Sequence, residues 1–346
     1  MFKTQPTIDN FFISNKNTKK YIIKRYFYLI WENKYRPNVN AYWTDIKPEK
    51  INFIEHITCD YIKKGYYFYI CGYFPDINEN PYYLTKEKTY KNVPYLKSHL
   101  QKCIRKQNDI LAVSTCYHLL KLNLQELLRR LPIIMLEDTT LHESFSTLIW
   151  LMIVISSSKN FKIKQNIYEY VLGIIYVLCK LGEKDIIHEE NTEQNINIPE
   201  VLDKYSDLNE YEYSILYCIH LRIAYGGLEC DMRMLKNYYR VWEIRFRNKD
   251  KKVENMIVRP ISIYVKELDI QNWDLSAIDY HCNTNFLDYV SKKFSEIDVE
   301  ELKKIIWYHS SSTNNRIKNK CYNLKTWDLI KDHVLKTQKY LLDSNY

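Results

Sequence analysis

A mainly α-helical protein, with a multi-helix bundle-like body, a small mixed α/β N-terminal region and a flexible N-terminal tail, is the fold class predicted by these 346 residues. The chain holds only 6 Gly and 9 Pro, too few for a many-turned all-β fold. Hydrophobic residues make up 46%, which supports a packed core and argues against general disorder. From about Pro94 onward apolar residues recur at helical spacing, whereas strand formers concentrate earlier, as in Tyr66–Phe74 (YYFYICGYF).

Composition divides the chain into a tail at 1–20, an aromatic-rich mixed region at 21–93, a helical domain at 94–190, a linker or long loop at 191–210, and a C-terminal helical domain at 211–346. The Tyr66–Phe74 stretch reads as a short hairpin arm. Leu96, Leu100, Cys103 and Ile104 mark one face of a first helix. Asp109 caps a second, which carries Leu111, Val113, Cys116 and Leu120. Gln125–Leu131 makes a third, stopped by Pro132. Thr140-Leu-His-Glu143 reads as a capping box before the apolar run Leu148–Ile155 (LIWLMIVI), predicting a core helix over about 141–156. Another helix covers about 165–182 and includes the apolar run Val171–Leu181. Both runs are shorter than the ~20 residues a membrane-spanning helix needs. Helices resume at about 210–225, 231–248 and 299–308, with a last one near 325–342.

The formal charge is +8, with 50 Lys and Arg against 42 Asp and Glu, a balance compatible with nucleic-acid binding. The 32 Tyr, with abundant Ile, Lys and Asn, match an AT-rich genome, so Lys and Tyr counts alone carry little functional meaning. The 9 Cys are scattered without a Cys-x-x-Cys pair and without a signal peptide ahead of them. Reduced thiols in a nuclear or cytosolic compartment fit that pattern.

The tail contains Gln5-Pro6-Thr7-Ile8-Asp9-Asn10-Phe11-Phe12. One helical or 3₁₀ turn brings Ile8, Phe11 and Phe12 to one side as a hydrophobic plug. Gln5 can then project its amide into an adjoining polar pocket, and Lys16, Lys19, Lys20, Lys24 and Arg25 form a basic trailer. This stretch closely resembles the PIP box, the peptide by which proteins dock on the PCNA-type sliding clamp: Gln, two residues, an aliphatic residue, two residues, two aromatics. The resemblance covers eight residues and every defined position is filled. It implies that Gln5 enters the clamp's polar pocket and that Ile8, Phe11 and Phe12 fill its hydrophobic pocket. The alternative is a tail that folds back on its own domain. A second, looser resemblance joins residues 95–156 to the helical collar of clamp-loader-like AAA+ ATPases, through a Lys-rich helix, an alanine-bearing helix, and Arg129-Arg130-Leu131 followed by Glu137-Asp138. No Gly-x-x-x-x-Gly-Lys-Ser/Thr occurs, so a complete P-loop ATPase is not expected.

Two basic sets are candidates for nucleic acid. Arg233, Lys236, Arg240 and Arg247 run along the 231–248 helix beside a core stripe of Met232, Leu235, Tyr239, Trp242 and Phe246. Such a row can track phosphates or simply be a solvated face. Lys97, Lys102, Arg105 and Lys106, with Arg129 and Arg130, form the second set. Weaker catalytic candidates are Glu137, Asp138, Asp279, His281 and His309; carboxylates converging on Mg²⁺ suit phosphodiester hydrolysis. Against this, Glu143 has a capping role in the predicted helix and Glu137 and Asp138 lie near its N-terminus, where acids are favoured in any case. His281, Cys282, His309 and Cys321 lack finger-like spacing, and no metal site is expected.

The expectation is a DNA replication or repair accessory factor, acting by binding at a site of DNA replication such as the nucleus. Its partners are a PCNA-type clamp, DNA and other replisome proteins, with no membrane and no cofactor. The alternatives are a clamp-recruited, Mg²⁺-dependent nuclease and a helical scaffold without DNA contact. Acids converging on one pocket favour the enzyme, a continuous basic stripe without such a pocket favours the binder, and separated basic patches favour the scaffold.

Overall fold

The computed structural model describes residues 23–32, 38–57, 66–74, 90–181, 184–185, 187, 207–254, 256, 260, 269–270, 272–311 and 322–345. The tail with its Gln5–Phe12 motif lies outside these residues, as does 191–206. The protein is mainly α-helical with a small mixed sheet at its N-terminal end. The strands are β1 (Ile23–Glu32), β2 (Asn38–Thr44), β3 (Phe53–Ile57) and β4 (Tyr66–Tyr73). The helices are α1 (Val93–Arg105), α2 (Asp109–Asp138), α3 (Phe145–Ser157), α4 (Gln165–Lys180), α5 (Glu210–Ala224), α6 (Glu229–Asn248), α7 (Lys251–Glu254), α8 (Phe286–Ser291), α9 (Val299–Ser310) and α10 (Leu324–Asp343).

The sheet order is β2-β1-β4-β3, with β1 and β4 parallel and the outer pairs antiparallel. The Tyr66–Phe74 stretch is therefore a central strand, not a hairpin arm. Its continuous apolar and aromatic run suits a strand covered on both faces. Phe27, Leu29, Trp31, Trp43, Phe68 and Ile70 point to the helices, while Tyr26, Tyr28 and Cys71 point the other way, the alternation a pleated strand imposes. The chain from β2 to β3 crosses that second face, where Ile51 packs and the Tyr28 hydroxyl donates to Lys50 O at 2.8 Å. On the helix side, Trp150 of α3 is fully buried and its indole N–H donates to both Phe27 O (3.0 Å) and Cys71 O (3.1 Å) across the β1–β4 seam. Gly72 permits the neighbouring fold-over: a Cβ there would stand 2.7 Å from the Phe74 ring and 3.3 Å from Leu29 O.

Helix α1 follows its predicted face, with Leu96, Leu100, Cys103 and Ile104 buried. Its N-cap is Asn92, whose side chain accepts from Tyr95 N. Helix α2 differs from expectation. The break comes at Asn123 (φ −158°, ψ 84°), whose side chain accepts from Glu126 N and caps a fresh helical segment. Pro132 lies inside that segment and does not end it; the ring costs one backbone donor, and burial of Leu128, Leu131, Ile133 and Ile134 around it offsets that loss. The Thr140–Glu143 capping box does not form. Helix α3 starts at Phe145 after Ser144, without a side-chain cap, and Glu143 N–H instead meets Met256 O at 3.4 Å. Glu137 and Asp138 consequently sit in the last turn of α2 and not at the start of the next helix.

Buried apolar side chains fall into two large clusters. One runs from the sheet through α1–α6. The other gathers Ile278, Phe286, Val290, Leu302, Ile305, Ile306, Ile330 and Val334 from the C-terminal elements and takes in Tyr95 of α1. Helices α5 and α6 share the first cluster with α1–α4, so the core does not divide at 191–210.

Two buried histidines follow from this packing. The Thr115 hydroxyl donates to Leu111 O (2.6 Å), so it accepts from His99 Nδ1–H (2.7 Å), and His99 Nε2 accepts the Asp274 N–H (2.9 Å). This is a neutral ring, and burial, opposed by Asp274, lowers its pKa to about 4. His220 is 1% exposed with no hydrogen bond to either ring nitrogen among the described residues, and burial lowers it to about 4 as well. For both, the folded pKa lies below the ordinary ~6.5, so the unfolded chain takes up the protons first. Their neutral state therefore costs nothing above pH ~6.5, and stability declines from there toward pH 4. At about 1.36 kcal/mol per unit, each histidine contributes at most about 3 kcal/mol to this decline. The melting temperature should fall between pH 7 and 4.5, and His220→Phe should blunt the fall; superimposable pH profiles for the two proteins would remove His220 from the account.

Candidate functional site

Helix α1 turns its apolar stripe to the core and a polar, partly buried flank toward α2 and the C-terminal elements. Lys97, Gln101 and Arg105 recur every four residues on that flank, with Ser98 and Lys102 alongside. Lys102 and Arg105 also fall in the last turn of α1, where the backbone dipole favours cations. Between this flank, the end of α2, the start of α6, residues 279–282 and the end of α9 lies a cleft of about 380 Å³. Lys97, Gln101, Lys102, Arg105, Arg130, Glu137, Asp231, Asp279 and His281 line it, together with Leu228, Cys230 and Trp307.

The cleft is held by interlocking ion pairs. Arg105 Nε donates to Asp138 Oδ1 (2.5 Å), Nη2 to Glu137 Oε1 (2.9 Å) and Nη1 to Ser311 O (3.0 Å). Gln101 Nε2 donates to both Glu137 and Asp138 at 2.8 Å. Arg130 reaches Gln101 Oε1 (2.7 Å), Asp231 Oδ2 (3.0 Å) and Glu137 (3.5 Å). Acids at a helix C-terminus oppose the dipole, so these donors are what permits Glu137 and Asp138 there. Burial works against the Arg105 charge, but Asp138 and Glu137 outweigh it and hold the guanidinium pKa above its ordinary value. Burial pushes the Asp138 carboxyl up against the pull of Arg105.

On the opposite wall Lys102 Nζ meets Asp279 Oδ2 at 2.5 Å, both side chains almost fully buried. Burial opposes the Asp279 charge, yet the His281 and Lys102 contacts keep its carboxyl well below the usual range. His281 is largely exposed, its Nδ1 3.3 Å from Asp279 Oδ1. An imidazole oriented by a carboxylate can take up or pass on a proton. The fold thus brings Glu137, Asp279 and His281 to one cleft, with Asp138 directly behind. His309 is elsewhere: its Nε2 contacts Tyr322 O at 2.7 Å and its ring stacks on Trp327. Among the described residues no group of three or more His, Cys, Asp or Glu could hold a metal ion.

The basic candidates separate into two fates. Lys97 pairs with Glu126 (2.7 Å), Lys106 with Asp274 (2.5 Å), and Arg129 stands 3.9 Å from Glu126. With Lys102, Arg105 and Arg130 engaged as above, the α1–α2 set is neutralised by acids. On α6, Arg247 pairs with Asp207 and Glu243 (both 3.1 Å). Arg233 is exposed, Lys236 and Arg240 are half-buried, and Arg233 and Lys236 make no ion pair among the described residues. Of the predicted α6 core stripe, Leu235, Tyr239, Trp242 and Phe246 are buried, joined by Tyr238, whereas Met232 is only half-buried. Gln5, Ile8, Phe11 and Phe12 lie outside the described residues.

Sequence reading missed Gln101, Asp274, Ser311 and Trp307 as parts of this region. Asp274 carried a local signal, since its carboxylate accepts from Ser276 N–H in a short turn. The others carried none. A comparison of the chain with known proteins finds no match among family models, curated proteins or solved structures.

Arg105→Met should leave Asp138 buried without its cation and cost about 3–5 kcal/mol in urea unfolding. Arg105→Met combined with Asp138→Leu should recover most of that loss, since replacing both partners removes the orphaned charge. A double variant no more stable than the single one would show that the pair does not act as a unit.

Proposed function

We propose that this protein is a DNA replication or repair accessory factor that docks on a PCNA-type sliding clamp through Gln5, Ile8, Phe11 and Phe12 and contacts DNA through its basic helical body. The observation that carries the reading is the Gln5–Phe12 motif, complete at each defined position and placed ahead of β1. Helix-in-groove recognition needs such anchors. The DNA contact is assigned to α6, because Arg233 and Lys236 are not committed to carboxylates among the described residues whereas the α1–α2 cations are. Action at a replication site, in the nucleus or its equivalent, follows from the clamp partner. Among the described residues no helix is long and apolar enough to cross a membrane.

A clamp-recruited nuclease is the second reading, favoured by the convergence of Glu137, Asp279 and His281 on one cleft. The carboxylates there already serve Lys102, Arg105 and Arg130, which ranks this reading below the binding factor.

A peptide of residues 1–20 should bind the cognate clamp in titration calorimetry with micromolar-order affinity, about −8 kcal/mol. Burying the plug gains roughly 1.5–3 kcal/mol per side chain, and ordering the peptide consumes part of that. Phe11→Ala/Phe12→Ala should abolish binding, and Gln5→Ala should cost about 1 kcal/mol. Equal binding by the double variant, or none by the native peptide, removes the clamp from the account.

DNA binding by the full chain should weaken with rising salt. Reversing Arg233, Lys236 and Arg240 to Glu should lower affinity and flatten the salt slope, since counterion release scales with phosphate contacts. Unchanged binding would take α6 out of the interface.

A further inference from the structure

The C-terminal unit, the described residues 272–311 and 322–345 with α8–α10, meets α1 through an unusual surface. It carries its own apolar cluster, in which Tyr95 is the contribution from α1. Trp273 also packs against Tyr90 and His99, and beside these aromatic contacts the surface is polar. Lys102 meets Asp279 (2.5 Å), Lys106 meets Asp274 (2.5 Å) and Ser276 Oγ (3.2 Å), and Arg105 donates to Ser311 O (3.0 Å). Asp274 N–H reaches His99, and Asn283 donates to the Tyr95 hydroxyl. Oxygens from separate points of the C-terminal unit thus sit on successive cations of one helix face. Large apolar interfaces fix parts of a chain together, while polar ones resemble transient contacts. Buried ion pairs are weak contributors to net stability, so this arrangement is poorly explained as an adhesive. It is well explained as an exchange surface, because Lys and Arg bind carboxylate and phosphate oxygens through the same charge-assisted hydrogen bonds.

We propose that the Lys102–Arg105–Lys106 face of α1 is a second, covered DNA-backbone site, and that the C-terminal unit occupies it with Asp274, Asp279 and Ser311 O until a DNA phosphate run displaces them. The inference rests on the reading that the body binds DNA. It differs from that reading in assigning a concealed surface whose access the C-terminal unit controls.

The test uses the full chain and a fluorescent single- or double-stranded oligonucleotide. In wild-type protein, hydrogen exchange in 273–311 should accelerate at saturating oligonucleotide, while α3 and α4 stay protected. Asp274→Asn/Asp279→Asn should bind the oligonucleotide at least tenfold more tightly, and adding Lys102→Gln/Lys106→Gln should erase the gain. Protection of 273–311 that is unchanged in DNA-bound wild-type protein overturns the proposal whether or not the variants fold. So does a double variant that releases the unit without binding more tightly, or one in which the unit stays docked. The two readings fail separately. DNA binding that depends on Arg233, Lys236 and Arg240 without release of 273–311 keeps the α6 interface and removes the covered site. Binding that appears only in the Asn variants removes α6 and also overturns the proposal, because no DNA then displaces the acids in the wild-type chain. No binding by any form removes both.

Discussion

The guanidinium of Arg105 is the constraint on which much of this structure hangs. A buried cation must satisfy its donors or lose several kcal/mol to desolvation, and Arg105 satisfies them on the carboxylates at the end of α2 and on a carbonyl just past α9. Those partners belong to separate parts of the chain. One side chain thus ties α1 to α2 and, with Lys102 and Lys106, to the C-terminal elements. Gln101 and Arg130 extend the same network to α6 through Asp231. The apolar clusters supply the bulk of the packing, and the network adds directional bonds at their edge.

The fold was legible in the sequence where a local period decided it. The buried stripes of α1 and α6 follow from spacing alone, because an amphipathic helix repeats its environment every three to four residues. It was not legible where a distant partner decided it. The Tyr66–Phe74 stretch has the composition of any strand, and nothing nearby says that its parallel neighbour lies at 23–30. The Thr140–Glu143 pattern has the right letters for a cap, but the chain there is drawn to Met256 and the helix begins later. Pro132 stops a helix in isolation and does not stop one in which Leu128, Leu131, Ile133 and Ile134 are buried around it.

The candidate site shows the same limit. Lys102, Arg105 and Lys106 could be read as cations, and Glu137, Asp279 and His281 as chemically able side chains, from residue type and position alone. That the cations and carboxylates neutralise one another is a tertiary fact, because Asp274 and Asp279 lie far along the chain from α1. The two basic sets look alike in sequence and differ only in what the fold places opposite them. The distinction redirects attention from the richer cluster of charges to the sparser one on α6.

The β1–β4 seam has a consequence for how the protein is made. Its strands are separated by the whole of β2 and β3, and its helix-facing side is sealed by Trp150 of α3, while the β2 edge binds α5 through Trp43 N–H and Ser214 Oγ. During synthesis the sheet emerges before the helices that cover it, with Phe27, Trp43 and Phe68 on a face whose cover has not yet been translated. Non-local pairing of this kind is slow, and exposed aromatic strands invite aggregation. The nascent chain carries an uncovered aromatic surface until the segment through α5 has left the ribosome, which makes truncated products ending before α5 prone to precipitate.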